Sequence, residues 1–141
     1  MKQKLVLGAL ATFIALAVLG CPSPTSPKPD PIIGTWTAVS FSNGTLTESA
    51  SAAGATLTLA VLANNTWTAT QTVSGDPTTY LASGTWAKIG SSYTLTETAV
   101  SPTTTTTAGQ APNTFTATLS SDGNTLTFAV GSGTTATMAK N

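Results

Sequence analysis

The chain has 141 residues, one cysteine, no histidine, and charged side chains at only 7% with a formal net charge of zero. That length holds one modest domain plus a leader and a linker. Without histidine there is no Ser–His–Asp or Cys–His triad and no His-based zinc site, and without arginine or a basic patch there is no phosphate-neutralising surface for nucleic acid.

The amino terminus reads as a leader. Lys2 and Lys4 give a positive start, and Leu5–Leu19 is almost wholly apolar but shorter than the roughly 20 residues needed to span a bilayer. Val18-Leu19-Gly20-Cys21 closes that run and resembles the lipobox of bacterial lipoproteins. The resemblance implies a signal peptide over residues 1–20, cleavage before Cys21, a diacylglyceryl group on the thiol and a further acyl chain, such as palmitate, on the new amino terminus. Several acyl chains anchor a protein stably where one does so only marginally. An exposed free thiol outside the cytoplasm would be a liability. Pro22 rather than aspartate follows the cysteine, which in the lipoprotein pattern favours the outer membrane over the inner. The localisation implied is the bacterial cell envelope.

Residues 21–31 alternate proline with small polar residues after the cysteine, the composition of a semi-rigid, extended tether. The folded domain is then expected over residues 32–141. With its leader removed the chain has three lysines (Lys28, Lys88, Lys140) against five acids (Asp30, Glu48, Asp76, Glu97, Asp122).

From Gly34 onward, threonine alternates with apolar residues at period two, the pattern of half-buried strands. Eight strands are predicted: Gly34–Phe41, Thr56–Leu62, Thr66–Val73, Thr79–Ala87, Ser92–Thr98, Asn113–Leu119, Thr125–Val130 and Thr134–Ala139. Asn64-Asn65, Gly90-Ser91, Asp122-Gly123 and Gly131-Ser132-Gly133 supply turn chemistry between them. A disordered, mucin-like stalk is the alternative for so much threonine; three tryptophans and the sustained alternation argue against it. Consecutive strands joined by short turns predict an all-β, eight-stranded antiparallel up-and-down barrel. A β-sandwich would require crossed connections that such hairpins do not suggest.

Connections alternate between the two ends of such a barrel. The long gaps 42–55 and 99–112, the second including Thr103–Thr107, fall at one end together with 74–78 and 131–133. The short turns at 64–65, 88–91 and 121–123 fall at the other. The first end is a candidate mouth and the second a closed floor. Parity and position place Trp36, Trp67, Trp86 and Tyr93 at the floor. Leu57, Leu59, Val61, Ala69, Ala82, Leu95, Phe115, Ala117, Leu119, Leu126, Phe128 and Val130 face inward, and threonines such as Thr58, Thr70 and Thr116 face out.

Gly34-Thr35-Trp36 opening the first strand, with a second Gly-Thr-Trp at Gly84–Trp86, resembles the lipocalin signature, and the whole outline is similar to small lipocalin-like lipoproteins of bacteria. The resemblance covers about 110 residues in architecture but only a handful in motif. It implies that Trp36 plugs the barrel floor and that a basic residue near the chain end, here Lys140, packs over it. The family's C-terminal helix has no counterpart in this sequence.

Three polar residues share the inward parity near the mouth: Gln71, Tyr80 and Glu97. An apolar pocket with a few polar groups is the common form of a small-ligand site. These three are the candidates to orient an amphipathic ligand, with Phe115, Phe128, Leu57 and Val73 against its apolar part. The competing reading has Gln71 and Glu97 simply touching water above a solid barrel, with the long loops meeting a protein or glycan partner. Neither reading involves catalysis: the few acids include Asp76 and Asp122 in turn sequences, where local hydrogen bonds account for them. No catalytic residue, cofactor, metal or nucleic-acid partner is expected; a membrane attachment through Cys21, a possible small lipophilic ligand and a monomeric state are.

Overall fold

The structure, a computed structural model, describes residues 26–102, 113–131 and 133–141. The expected leader, Cys21, the first part of the expected tether and Thr103–Thr107 lie outside the described residues.

The strands are β1 Gly34–Ser42, β2 Thr47–Ser49, β3 Ala55–Val61, β4 Thr66–Val73, β5 Asp76–Ile89, β6 Ser92–Ser101, β7 Thr114–Leu119, β8 Thr125–Gly131 and β9 Thr134–Lys140. From β3 to β9 each strand pairs antiparallel with the next, and β1 pairs with both β3 and β9. The result is a closed eight-stranded barrel whose end-to-end pairing leaves no free edge. β2 is an extra short strand in the first long connection, paired with Ser40–Ser42 of β1.

Alternation does what the composition implies. Leu57, Leu59, Val61, Leu95, Ala117, Leu126 and Phe128 are buried, and Ala69, Ala82, Phe115, Leu119 and Val130 pack partly buried against them. Thr68, Thr70, Thr116 and Thr127 are exposed on the opposite faces. Threonine thus keeps the outer wall wet while its β-branched side chain suits the pleat. Asn65 supplies the left-handed residue of the β3–β4 turn, with φ of 65°.

Register shifts break the period in four of the strand pairings. The β1–β9 register shifts between Ala38 and Ser40, so Val39 is an extra residue and is exposed while Phe41 packs inward against the core. Beyond that bulge β1 is no longer paired with β3. The segment around β2 occupies the divergence, held by Ala50 N donating to Val39 O at 2.9 Å and Ala55 N donating to Ala50 O at 3.0 Å. Ala50 consequently joins the core.

The second bulge lies at Thr98, between the pairs Gly84–Glu97 and Ser83–Ala99. It corrects the expected end of the fifth barrel strand at Thr98: the strand continues to Ser101, with its parity inverted so that Val100 is opposite Ala82. The fourth barrel strand also starts earlier than expected, at Asp76 rather than Thr79, because the β4–β5 hairpin turns tightly at Ser74-Gly75 with Val73 paired to Asp76. A further shift, between Ala129 and Gly131, sets Val130 apart near the end of β8.

Candidate functional site

The two ends of the barrel are built differently. At the closed end, Trp36 is fully buried and its indole Nε1 donates to Ile32 O at 2.8 Å. Lys140 Nζ stands 5.2 Å from the Trp36 ring centroid and donates to Pro31 O at 2.7 Å. A Cβ on Gly34 would come within 2.8 Å of Lys140 Cε, so the glycine leaves room for the lysine stem to cross the floor. Trp86 Nε1 donates to Leu62 O at 2.9 Å, and its ring meets Tyr93 edge-on at 6.0 Å.

Asp30, at the end of the Pro-rich segment, is fastened to this floor. Its Oδ1 accepts from Tyr93 Oη at 2.6 Å and from Ile32 N at 3.2 Å, and its Oδ2 pairs with Lys88 Nζ at 3.2 Å. Lys88 Nζ also lies 5.3 Å from the Tyr93 ring centroid. Burial alone would raise the Asp30 carboxyl, but the Tyr93, Ile32 and Lys88 contacts together hold it below the usual carboxylate value. Tyr93 is raised by burial and by its bond to Asp30. Sequence patterning missed this cluster because Asp30 lies outside any periodic strand.

At the open end the barrel is not filled. A cavity of about 300 Å³ lies among residues of β3 to β8. Its lower wall is buried: Leu57, Trp67 and Phe128. Ala69, Ala82, Phe115 and Val130 form its sides, and Gln71, Tyr80, Leu81, Ser101 and Asn113 are exposed around it. Of the residues predicted to share a ligand site, Gln71, Tyr80, Glu97, Phe115, Phe128 and Leu57 all line this cavity. Val73 is not in its wall.

Two of the polar groups, Glu97 and Asn113, are bonded to each other. Asn113 Nδ2 donates to Glu97 Oε1 at 3.0 Å, and Glu97 N donates to Asn113 O at 2.8 Å, so the start of β7 is clipped to β6 beside the cavity. The Tyr80 hydroxyl donates to Asp76 Oδ2 at 2.8 Å. Asp76 is held below its ordinary value by Thr78 first and then by Tyr80, as expected of a carboxylate engaged in its own turn.

Trp67 corrects the expectation that all three tryptophans sit away from the mouth: it lines the cavity. Parity assigns a side chain to a face but not its reach along the barrel axis. Trp67 is opposite Gly84 in the β4–β5 register, and the missing side chain leaves space over which the indole lies, donating from Nε1 to Thr85 O at 3.0 Å. Its ring meets Phe115 edge-on at 6.4 Å, and Phe115 meets Phe128 at 5.4 Å. Trp67 is thus the partition between solid floor and open cavity. Asn113, Leu81, Val100, Ser101 and Pro102 also line the cavity outside the expected set; the bulge at Thr98 turns Val100 inward opposite Ala82, and nothing in the local alternation signals it.

Comparison of the chain with protein-family models, with curated proteins and with solved structures finds no match in any of the three.

Proposed function

We propose that this is a lipid-anchored, extracytoplasmic, lipocalin-like protein that holds a small apolar or amphipathic molecule in the open half of its barrel. The observation that carries the proposal is the cavity of about 300 Å³ with an aromatic and aliphatic wall and a few polar groups, Gln71, Tyr80, Glu97 and Asn113 among them. Such a composition, at the lower end of the usual range of about 300–1,000 Å³, is that of a small-ligand pocket. At about 30 Å³ per water volume it offers room for on the order of ten non-hydrogen atoms.

The tether supports an orientation. Asp30 is bonded to Tyr93 and Lys88 on the closed end, so a chain anchored at Cys21 leaves the barrel from its floor. The segment between Cys21 and Asp30 reaches at most roughly 30 Å at about 3.1 Å per residue. The floor then faces the membrane, and the mouth faces away from it.

Isothermal titration with 1-octanol tests the binding. The wild type is expected to take up one equivalent, and Ala82→Phe, which projects a ring into the cavity, to lose it. Absence of binding by the wild type, or equal binding by both proteins, refutes the proposal.

A further inference from the structure

The charge of this protein is divided between the ends of its barrel. After Asp30 the sequence contains only two basic residues, Lys88 and Lys140. Both are at the closed end, one paired with Asp30 and the other over Trp36. Glu48 on β2, Asp76 at the start of β5 and Glu97 late in β6 lie in the other half. The long connection 103–112 contributes no charged residue of either sign. Among the described residues the mouth therefore carries three acids and no base, and a low-dielectric wall beside them focuses a negative potential into the cavity.

Inside, Glu97 is the only charged side chain among the described lining residues. It is half-buried, and Asn113 holds one of its oxygens at 3.0 Å. Aromatic rings stand in the same wall: Trp67, Phe115 and Phe128. A carboxylate beside aromatic faces is the combination that recognises organic ammonium groups, through a charge-assisted hydrogen bond and cation–π attraction. An anionic ligand would meet the Glu97 carboxylate with no lysine in that half to compensate, a repulsive arrangement that selects against fatty acids and other carboxylates.

Resting on the binding function proposed above, we infer that the ligand is a small organic cation. It is an amine of on the order of ten non-hydrogen atoms, with its charged end at Glu97 and its apolar body against Trp67, Phe115 and Phe128. A diacyl aminolipid is far too large for the cavity, so the ligand is a free amine rather than a membrane lipid.

The test is calorimetric titration of the protein, as exported by its host cell, with 2-phenylethylamine, 2-phenylethanol and phenylacetate. The three probes share a ring and differ in charge. The amine is expected to bind at least about tenfold more tightly than the alcohol, as a hydrogen bond to a charged group implies, and phenylacetate most weakly. In Glu97→Gln, which keeps an oxygen for Asn113, the difference between amine and alcohol is expected to collapse; circular dichroism verifies that the barrel is intact. Glu48→Gln, which removes a mouth charge outside the cavity wall, is expected to change amine affinity less than about twofold in physiological salt. Phenylacetate or the alcohol binding as tightly as the amine, or an unchanged amine affinity in Glu97→Gln, overturns the inference and leaves the binding function standing. No binding of any of the three probes refutes both.

Discussion

Trp67 and Gly84 are register partners on β4 and β5, and a Cβ on Gly84 would stand 2.9 Å from the indole nitrogen. The same atom would run into the Thr96 carbonyl of β6. Gly84 therefore lets two backbones and an indole converge at the level where solid core gives way to cavity. Gly84→Ala is expected to destabilise the protein by about 1–3 kcal/mol, the usual cost of overpacking, seen as a lower urea midpoint. A midpoint equal to that of wild type would show that the convergence is not tight.

Lys140 closes the floor with a hydrogen bond to Pro31 and a ring contact to Trp36. Replacing it by methionine preserves most of the apolar stem and removes both interactions. The expected loss is about 1–2 kcal/mol, the sum of a modest hydrogen bond and a partly solvated cation–π contact. Urea unfolding followed by circular dichroism measures it, with an unchanged m-value expected because the surface exposed on unfolding is the same.

The Asp30 cluster makes stability pH-dependent in a defined direction. The folded-state Asp30 carboxyl lies below its ordinary value. Its contribution is therefore complete above the unfolded value near pH 4 and is lost as pH falls through the folded value. Tyr93 is displaced upward, by burial first and then by Asp30; its contribution is complete below about pH 10 and is lost as pH rises through its folded value. Wild type is expected to be more stable than Asp30→Asn at pH 5–7, with the gap closing toward pH 2. A gap independent of pH would remove the charged cluster from the stability of the floor.

Because Trp67 lines the cavity while Trp36 and Trp86 bond to the floor, ligand entry should perturb one indole of three. Titration with 1-octanol is expected to shift part of the tryptophan emission to shorter wavelength, and the shift should vanish in Trp67→Phe. A shift that survives that substitution places the ligand elsewhere.

How much of this is legible in the sequence depends on which physical signal carries it. Barrel closure followed from period-two threonine alternation and the turn residues, and parity alone brought Gln71, Tyr80, Glu97, Phe115 and Phe128 to one cavity. Bulges defeat parity. The extra residues Val39 and Thr98 invert the faces beyond them, so Ala50 in the core and Val100 in the cavity wall have no local signature. Reach was equally hidden: Trp67 extends upward only because Gly84, in another strand, makes room. Asp30 looked like part of a tether because an ion pair spanning 58 positions to Lys88 leaves no trace in a sliding pattern.

The most direct measurement is native mass spectrometry of the protein extracted from the membranes of the cell that makes it. A chain beginning at Cys21, carrying covalent acyl mass and releasing one small adduct of net positive charge on gentle activation, is the expected result. An unacylated polypeptide that flies bare under conditions retaining weak ligands would contradict the tethered container at both its anchor and its cavity.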